Sequence, residues 1–214
     1  MQLPFTKISL RNYMIAPEFY KIIAQNTQAE YKDKGSKFIA YCFQITDVVM
    51  VKKEIATLKK THAKAVHFCY AYRLGIDGNN FRVNDDGEPS GSAGKPILGQ
   101  IDSKGLTNVL VVVVRYFGGT LLGVPGLINA YKTTTALALQ LTPILQKAIE
   151  IPYELQFEFS RMNEVMQIVK QLGCSVIKQE LQLFTLLTIG IPKAKLEEAL
   201  YRLRELHYIT INIA

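Results

Sequence analysis

The sequence predicts an α+β protein built from two domains, residues 1–142 and 143–214, and three observations carry that reading. The segment TNVLVVVVRYF (107–117) contains a continuous valine run, which fits a central strand covered on both faces and is far too short to cross a membrane. The last third of the chain alternates strand and helix periodicities in the order βαββαβ, the ferredoxin-like split unit. Finally, 214 residues at 49% hydrophobic content suffice for two cores and exclude a disordered chain.

The elements follow from local pattern. Residues 29–45 read as two strands about a turn at Lys34-Gly35-Ser36. Asp47 is placed to cap a helix whose apolar positions are Val48, Val51, Ile55 and Leu58, with Lys52, Lys53, Lys59 and Lys60 on its other face. His67 to Leu74 reads as a buried strand, Asp77-Gly78 as a turn and Phe81 to Val83 as a short strand. Ile97, Leu98 and Ile101 recur at helical spacing, and after the valine strand and GGTLLGVPG a helix runs from about Leu127 to Leu141, ended by Pro143. Residues 143–150 form the domain boundary.

In the second domain Ile151, Tyr153, Leu155, Phe157 and Phe159 alternate as a strand with one buried face. Met162, Val165, Met166, Val169 and Leu172 make one helical stripe, and Leu196, Ala199, Leu200, Leu203 and Leu206 a second. Strands at roughly 174–182 and 184–191 lie between them, and Ile209, Ile211 and Ile213 close the unit. The face opposite the helices then shows Glu154, Gln156, Glu158, Thr210 and Asn212. It lacks the stacking aromatics and positive charge of an RNA-recognition sheet.

Charge is distributed unevenly. Residues 1–142 hold 17 Lys and Arg against 10 Asp and Glu, whereas residues 143–214 hold 8 of each, so the whole net charge of +7 sits in the first domain. Such asymmetry points to an acidic partner such as RNA, to a phosphate ligand, or to a basic surface that serves solubility. Three widely separated cysteines, Cys42, Cys69 and Cys174, offer neither a disulfide partner nor zinc spacing. MQLPFTKISL has no apolar signal-peptide core, so a cytoplasmic protein without membrane association is expected.

Chemistry-bearing residues concentrate in NDDGEPSGSAGKPILGQI (84–101) and VVVVRYFGGTLLGVPGLINAY (111–131). Asp85, Asp86 and Glu88 are candidate Mg²⁺ ligands, or equally caps and turn formers. Lys95 and the amides around Gly94 offer positive character at a helix start, and Arg115 and Tyr116 end a buried strand that a glycine-rich turn and a helix N-terminus follow. A P-loop fails because Pro89 stands where glycine is needed, and a dinucleotide fingerprint fails at Leu121. His67 and Cys69 share a strand face without a second ligand pair, His62 reads as a surface residue at a helix end, and Ser90 and Ser92 lack a nucleophile elbow. Arg115 ends an otherwise apolar strand, which calls for an ion pair with Asp85, Asp86 or Glu88.

DDGEPSGSAGKPIL and VVVVRYFGGTLLG resemble the two signature blocks of the IMPACT family, HFCYAYRLG (67–75) resembles its His-x-Cys-x-Ala-Tyr-Arg block, and KGSKFIA (34–40) its opening strand. The resemblance covers roughly residues 28–135. It implies a first domain with the left-handed βαβ fold of RNase PH and of domain IV of elongation factor G, and a second domain similar to domain V of that factor. It also implies a regulator of translation rather than an enzyme, with no cofactor. Leu121, Pro125 and Asn129 depart from the family pattern, and Asn129 brings no positive charge where an arginine is usual.

The reading for function is a non-catalytic binding protein that contacts RNA, the ribosome or a translation-related protein, with binding residues His67, Asp86, Glu88, Ser90, Lys95, Arg115, Tyr116, Gly118 and Gly119. The competing reading is a metal- or phosphate-dependent hydrolase in which Asp85, Asp86 and Glu88 hold the ion and Lys95 and Arg115 neutralise developing charge.

Overall fold

The computed structural model of the chain describes residues 17–181 and 183–214, so residues 1–16, including the MQLPFTKISL stretch, and Gln182 lie outside the described residues. The chain divides into two compact units, one spanning Tyr20–Lys147 and the other Ala148–Ala214 together with residues 17–19.

The first unit is built on a five-stranded antiparallel sheet. Its strands are β2 (Thr27–Asp33), β3 (Ser36–Gln44), β4 (His67–Leu74), β5 (Asn80–Asn84) and β6 (Val109–Tyr116), in the spatial order β2-β3-β6-β4-β5. The β2–β3 hairpin turns on Lys34 and Gly35, both at positive φ (43° and 81°), as a two-residue hairpin matching the strand twist requires. β3 and β4 both run antiparallel to β6, so they are parallel to each other, and helix α1 (Val48–Thr61) carries the chain across between them. Asp47 caps α1 by accepting from the Met50 amide at 2.8 Å.

β6 is central and is covered on both faces. Val109, Val111 and Val113 pack with Phe38, Ala40, Cys69 and Ala71 beneath α2 (Gly94–Ser103) and α3 (Gly123–Gln140), which contribute Ile97, Ile101, Leu127, Ala130, Tyr131, Ala138 and Leu139. Leu110, Val112 and Val114 pack on the other side with Val51 and Leu58 of α1 and Phe68, Tyr72 and Leu74 of β4. Fully burying one such side chain contributes about 1.5–3 kcal/mol, which is why the valine run tolerates no polar residue before Arg115.

The segment 143–150 contains a strand, β7 (Ile144–Ala148), paired with β1 (Phe19–Ile23) in a separate two-stranded sheet.

The second unit has β8 (Glu150–Phe157), α4 (Met162–Leu172), β9 (Ser175–Leu181), β10 (Thr185–Pro192), α5 (Leu196–Arg204) and β11 (Thr210–Ile213). Its sheet order, β11-β8-β10-β9 with every neighbour antiparallel, is the ferredoxin-like arrangement. Tyr153, Leu155 and Phe157 are buried, as are Val165, Val169 and Leu172 of α4 and Ala199 and Leu203 of α5. Phe159 departs from the alternation: β8 ends at Phe157, and Phe159 sits 64% exposed in a short 3₁₀ turn, Phe159–Arg161. On the uncovered face Glu154 lies opposite Thr188 and Asn212, and Gln156 opposite Leu186 and Thr210. Lys178 and Glu180 on β9 continue that row as an ion pair, and none of these residues is aromatic.

Candidate functional site

The signature loop between β5 and α2 has little regular structure, and its three carboxylates hold it in place. Asp85 accepts hydrogen bonds from the amides of Ala93 (3.0 Å) and Gly94 (2.8 Å) with one oxygen and of Gly91 (2.9 Å) with the other. Burial opposes its ionisation. The three amides, helped by Lys95, outweigh that burial and hold its carboxyl below the ordinary carboxylate range. The positive start of α2 is thus occupied by the protein's own anion. Asp86 ties the loop to β4: its carboxylate accepts from the Phe68 amide at 2.7 Å, and its carbonyl accepts from His67 Nδ1 at 2.8 Å. Lys59 of α1 reaches the same carboxylate at 3.7 Å. Asp86 holds a left-handed φ of 41° to do so.

Glu88 points inward. Its Oε1 accepts from Arg115 Nη1 at 2.6 Å and from the Tyr131 hydroxyl at 2.8 Å, and His67 Nε2 lies 3.9 Å away. The Glu88 and Arg115 side chains are only 3% and 6% exposed, so the pair expected from the sequence is present and sealed from water. The Arg115 guanidinium also lies near the rings of Phe38 (5.4 Å) and Phe117 (5.7 Å), while its Nε is buried without an acceptor among the described residues. Cys69 Sγ stands 3.2 Å from the Tyr131 hydroxyl, and burial pushes both the thiol and the phenol well up. Gly118 meets the β2–β3 turn so closely that a Cβ there would lie 1.9 Å from the Gly35 carbonyl carbon, and its amide donates to Ser36 Oγ.

His67, Glu88 and Arg115 therefore meet on one face of the sheet, joined by Tyr131 and Cys69. Ser90 and Lys95 are exposed beside them, and Gly119 follows Gly118 at a positive φ of 85°. Tyr116 is not part of this group, since the pleat turns it to the opposite face. There it joins two residues that the sequence did not single out together. The Tyr41 hydroxyl lies 2.8 Å from His62 Nε2, and His62 Nδ1 lies 2.8 Å from the Tyr116 hydroxyl. His62 is the C-cap of α1, so it is a bridge between β3 and β6 rather than a simple surface residue. Among the described residues no three His, Cys, Asp or Glu side chains are grouped as metal ligands, and no helix is long and apolar enough to cross a membrane.

A basic α/β/α unit clasped by its own acidic loop, joined to a ferredoxin-like unit, defines a two-part α+β protein. Residues 34–139 match the Impact N-terminal domain. The chain is 34% identical over 167 residues to the IMPACT family member YigZ of Escherichia coli, covering 77% of this chain and 82% of that protein. It is 38% identical over 112 residues to YvyE of Bacillus subtilis, about half of each chain. A crystal structure described as that of an hypothetical protein superposes with a TM-score of 0.74 at 30% identity, covering 92% of this chain and 98% of that one. The chain belongs to the IMPACT family.

Proposed function

We propose that the protein is a non-catalytic, cytoplasmic binding protein of the translation apparatus whose first unit takes RNA. The observation that carries this reading is the internal engagement of the signature carboxylates. Asp85 is held by three amides, Asp86 by β4 and Glu88 by Arg115 and Tyr131, so each already has a structural partner where the hydrolase reading requires a metal ligand. With those carboxylates engaged internally, exposed lysines of the described first unit, among them Lys34, Lys52, Lys53, Lys60 and Lys64, supply a field suited to a polyanion. Membership of the IMPACT family keeps the reading within the translation-related role that the family resemblance implies.

RNA titrations with the full chain test it. Binding should be measurable at low salt and should weaken by about an order of magnitude or more as several phosphate contacts are screened. No binding at low salt overturns the RNA assignment. Phosphatase or nuclease activity with Mg²⁺ that disappears in Asp86→Ala would overturn the non-catalytic one.

A further inference from the structure

We propose that Tyr41, His62 and Tyr116, with Lys37 beside them, form an anion site that takes a phosphate oxygen, the phosphodiester of a bound RNA strand being the ligand. The inference rests on the RNA reading above for its ligand, but on its own geometry for the site.

Hydrogen-bond counting carries it. Two contacts of 2.8 Å join three groups, with the imidazole in the middle. A neutral imidazole has one N–H and one lone pair. One tyrosine therefore donates to it and the other accepts from it. The accepting tyrosine keeps its own O–H, which has no acceptor inside the triad. Whichever tautomer is present, one phenolic donor is left to point elsewhere. When His62 is protonated both nitrogens donate, both tyrosines accept, and two outward donors remain beside a positive charge.

The surroundings favour an anion at those donors. Lys37 lies directly across from Tyr116 in the β3–β6 register and four residues before Tyr41 on the same face. Its ammonium pairs with Glu30 of β2 at 2.6 Å, but on a surface where Lys37 is 39% and Glu30 40% exposed, and such pairs yield readily to a competing anion. No carboxylate hydrogen-bonds to any of the three ring side chains among the described residues; Glu30, on the same face of β2, acts on Tyr41 through space, and its pairing with Lys37 offsets that charge. Of the two basic residues in the last turn of the helix leading to His62, Lys59 is directed to Asp86 and the Phe68 ring, and Lys60 adds exposed positive charge. All three residues are half-buried, so packing fixes their positions while part of each stays within reach of solvent. Tyr41 also stacks with Phe43, with ring centres 6.3 Å apart, and both pack against the core beneath α1, which holds the Tyr41 ring in place.

Titration follows from the same arrangement. Burial, and secondarily Lys37, hold the His62 pKa below its ordinary value, so the free protein carries neutral His62 at neutral pH. An anion facing the triad stabilises the protonated form, so affinity should rise as pH falls from neutrality into the acid range.

The experiment compares the full chain with Tyr41→Phe, Tyr116→Phe, their double variant and His62→Gln. It uses a short unstructured single-stranded RNA and, separately, inorganic phosphate, with binding measured across pH and the His62 ring resonances followed by NMR. The Phe variants keep the rings and the Gln variant keeps one donor and one acceptor, and the two single Phe variants serve if the double one fails to fold. Expected is about tenfold weaker RNA binding in the double variant, the loss of one hydrogen bond to a charged group, and loss of the acid-side tightening in His62→Gln. Equal RNA binding by wild type and all variants overturns the site while leaving the RNA reading standing. No RNA binding by wild type, but saturable movement of the His62 resonances by phosphate, upholds the site and removes RNA as its ligand. Neither RNA binding nor a phosphate response overturns both.

Discussion

Arg115 and Glu88 illustrate how one ion pair can fix a loop. Neither side chain can be hydrated where it sits, so each depends on the other to offset desolvation. Removing one partner leaves an uncompensated buried charge, and Arg115→Ala or Glu88→Ala should cost about 3–5 kcal/mol in denaturant unfolding. The double replacement Arg115→Met/Glu88→Leu should recover most of that loss. A melting temperature unchanged in Arg115→Ala, with partner binding lost, would assign the residue to a ligand instead. The pair was legible because a single arginine after a valine run must find a carboxylate, and only one acidic cluster lay near. Tyr131 was not legible as the third member, because on α3 it falls among the apolar positions and nothing in its spacing separates a core phenol from a hydrogen-bonded one. The Tyr41–His62–Tyr116 bridge was hidden for a different reason: its members come from β3, a helix end and β6, and only the register brings them together.

Among elements, α2 shows a cap supplied from outside its own turn. The residue at its N-cap, Ala93, has no side chain to offer, and Asp85, eight residues earlier, accepts from the first amides instead. Asp85→Asn retains one acceptor oxygen but turns an NH₂ toward a backbone donor. Because the folded pKa of Asp85 is depressed, its stabilisation is present above the unfolded value and lost as pH falls through the folded one. The stability gap between wild type and Asp85→Asn should therefore be full at neutral pH, begin to shrink below about pH 4 and go on shrinking as pH falls further, read by unfolding at several pH values. The end of β6 makes the opposite demand, for the absence of a side chain. Gly118→Ala drives a methyl into the Gly35 backbone, so it should cost at least the roughly 1–3 kcal/mol of an overpacked core and separate the β2–β3 turn from the strand end. Hydrogen exchange at Lys34–Ser36 checks this. Strands with clean alternation or a full apolar run were readable, whereas β1 and β7 were not, because a two-stranded ribbon needs no strong pattern to form. Phe159 was assigned to β8 because its spacing continues the alternation by one step; the backbone turns before it.

For the molecule as a whole, the cysteines report on each unit separately. Cys42 and Cys69 are fully buried in the Tyr20–Lys147 unit, and burial raises Cys42 to about 12. Cys174 is half-buried in the other unit and raised to about 11, again by burial. With so little thiolate at neutral pH, a thiol reagent should label Cys174 first and reach Cys42 and Cys69 only when the first unit opens. Mass spectrometry of labelled peptides over time checks the order. Equal early labelling of Cys42 would contradict the packing beneath α3. The second unit's strand order followed from its periodicities alone, whereas the order in the first unit did not, because a strand run does not reveal which neighbours it will separate.

That separation matters for a chain made from its N-terminus. The β2–β3 and β4–β5 hairpins close locally as soon as their own residues are available, but β3 and β4 are not neighbours: the slot between them belongs to β6. Until Val109–Tyr116 has emerged, both hairpins hold a bare inner edge lined by Ile39, Tyr41, Phe68 and Tyr70, with unpaired backbone groups ready to take any passing strand. The nascent protein thus completes its sheet from the middle. The most apolar segment of the sequence acts as a late-arriving keystone, and any pause in synthesis just before it leaves two sticky hairpins waiting for a strand that has yet to be made.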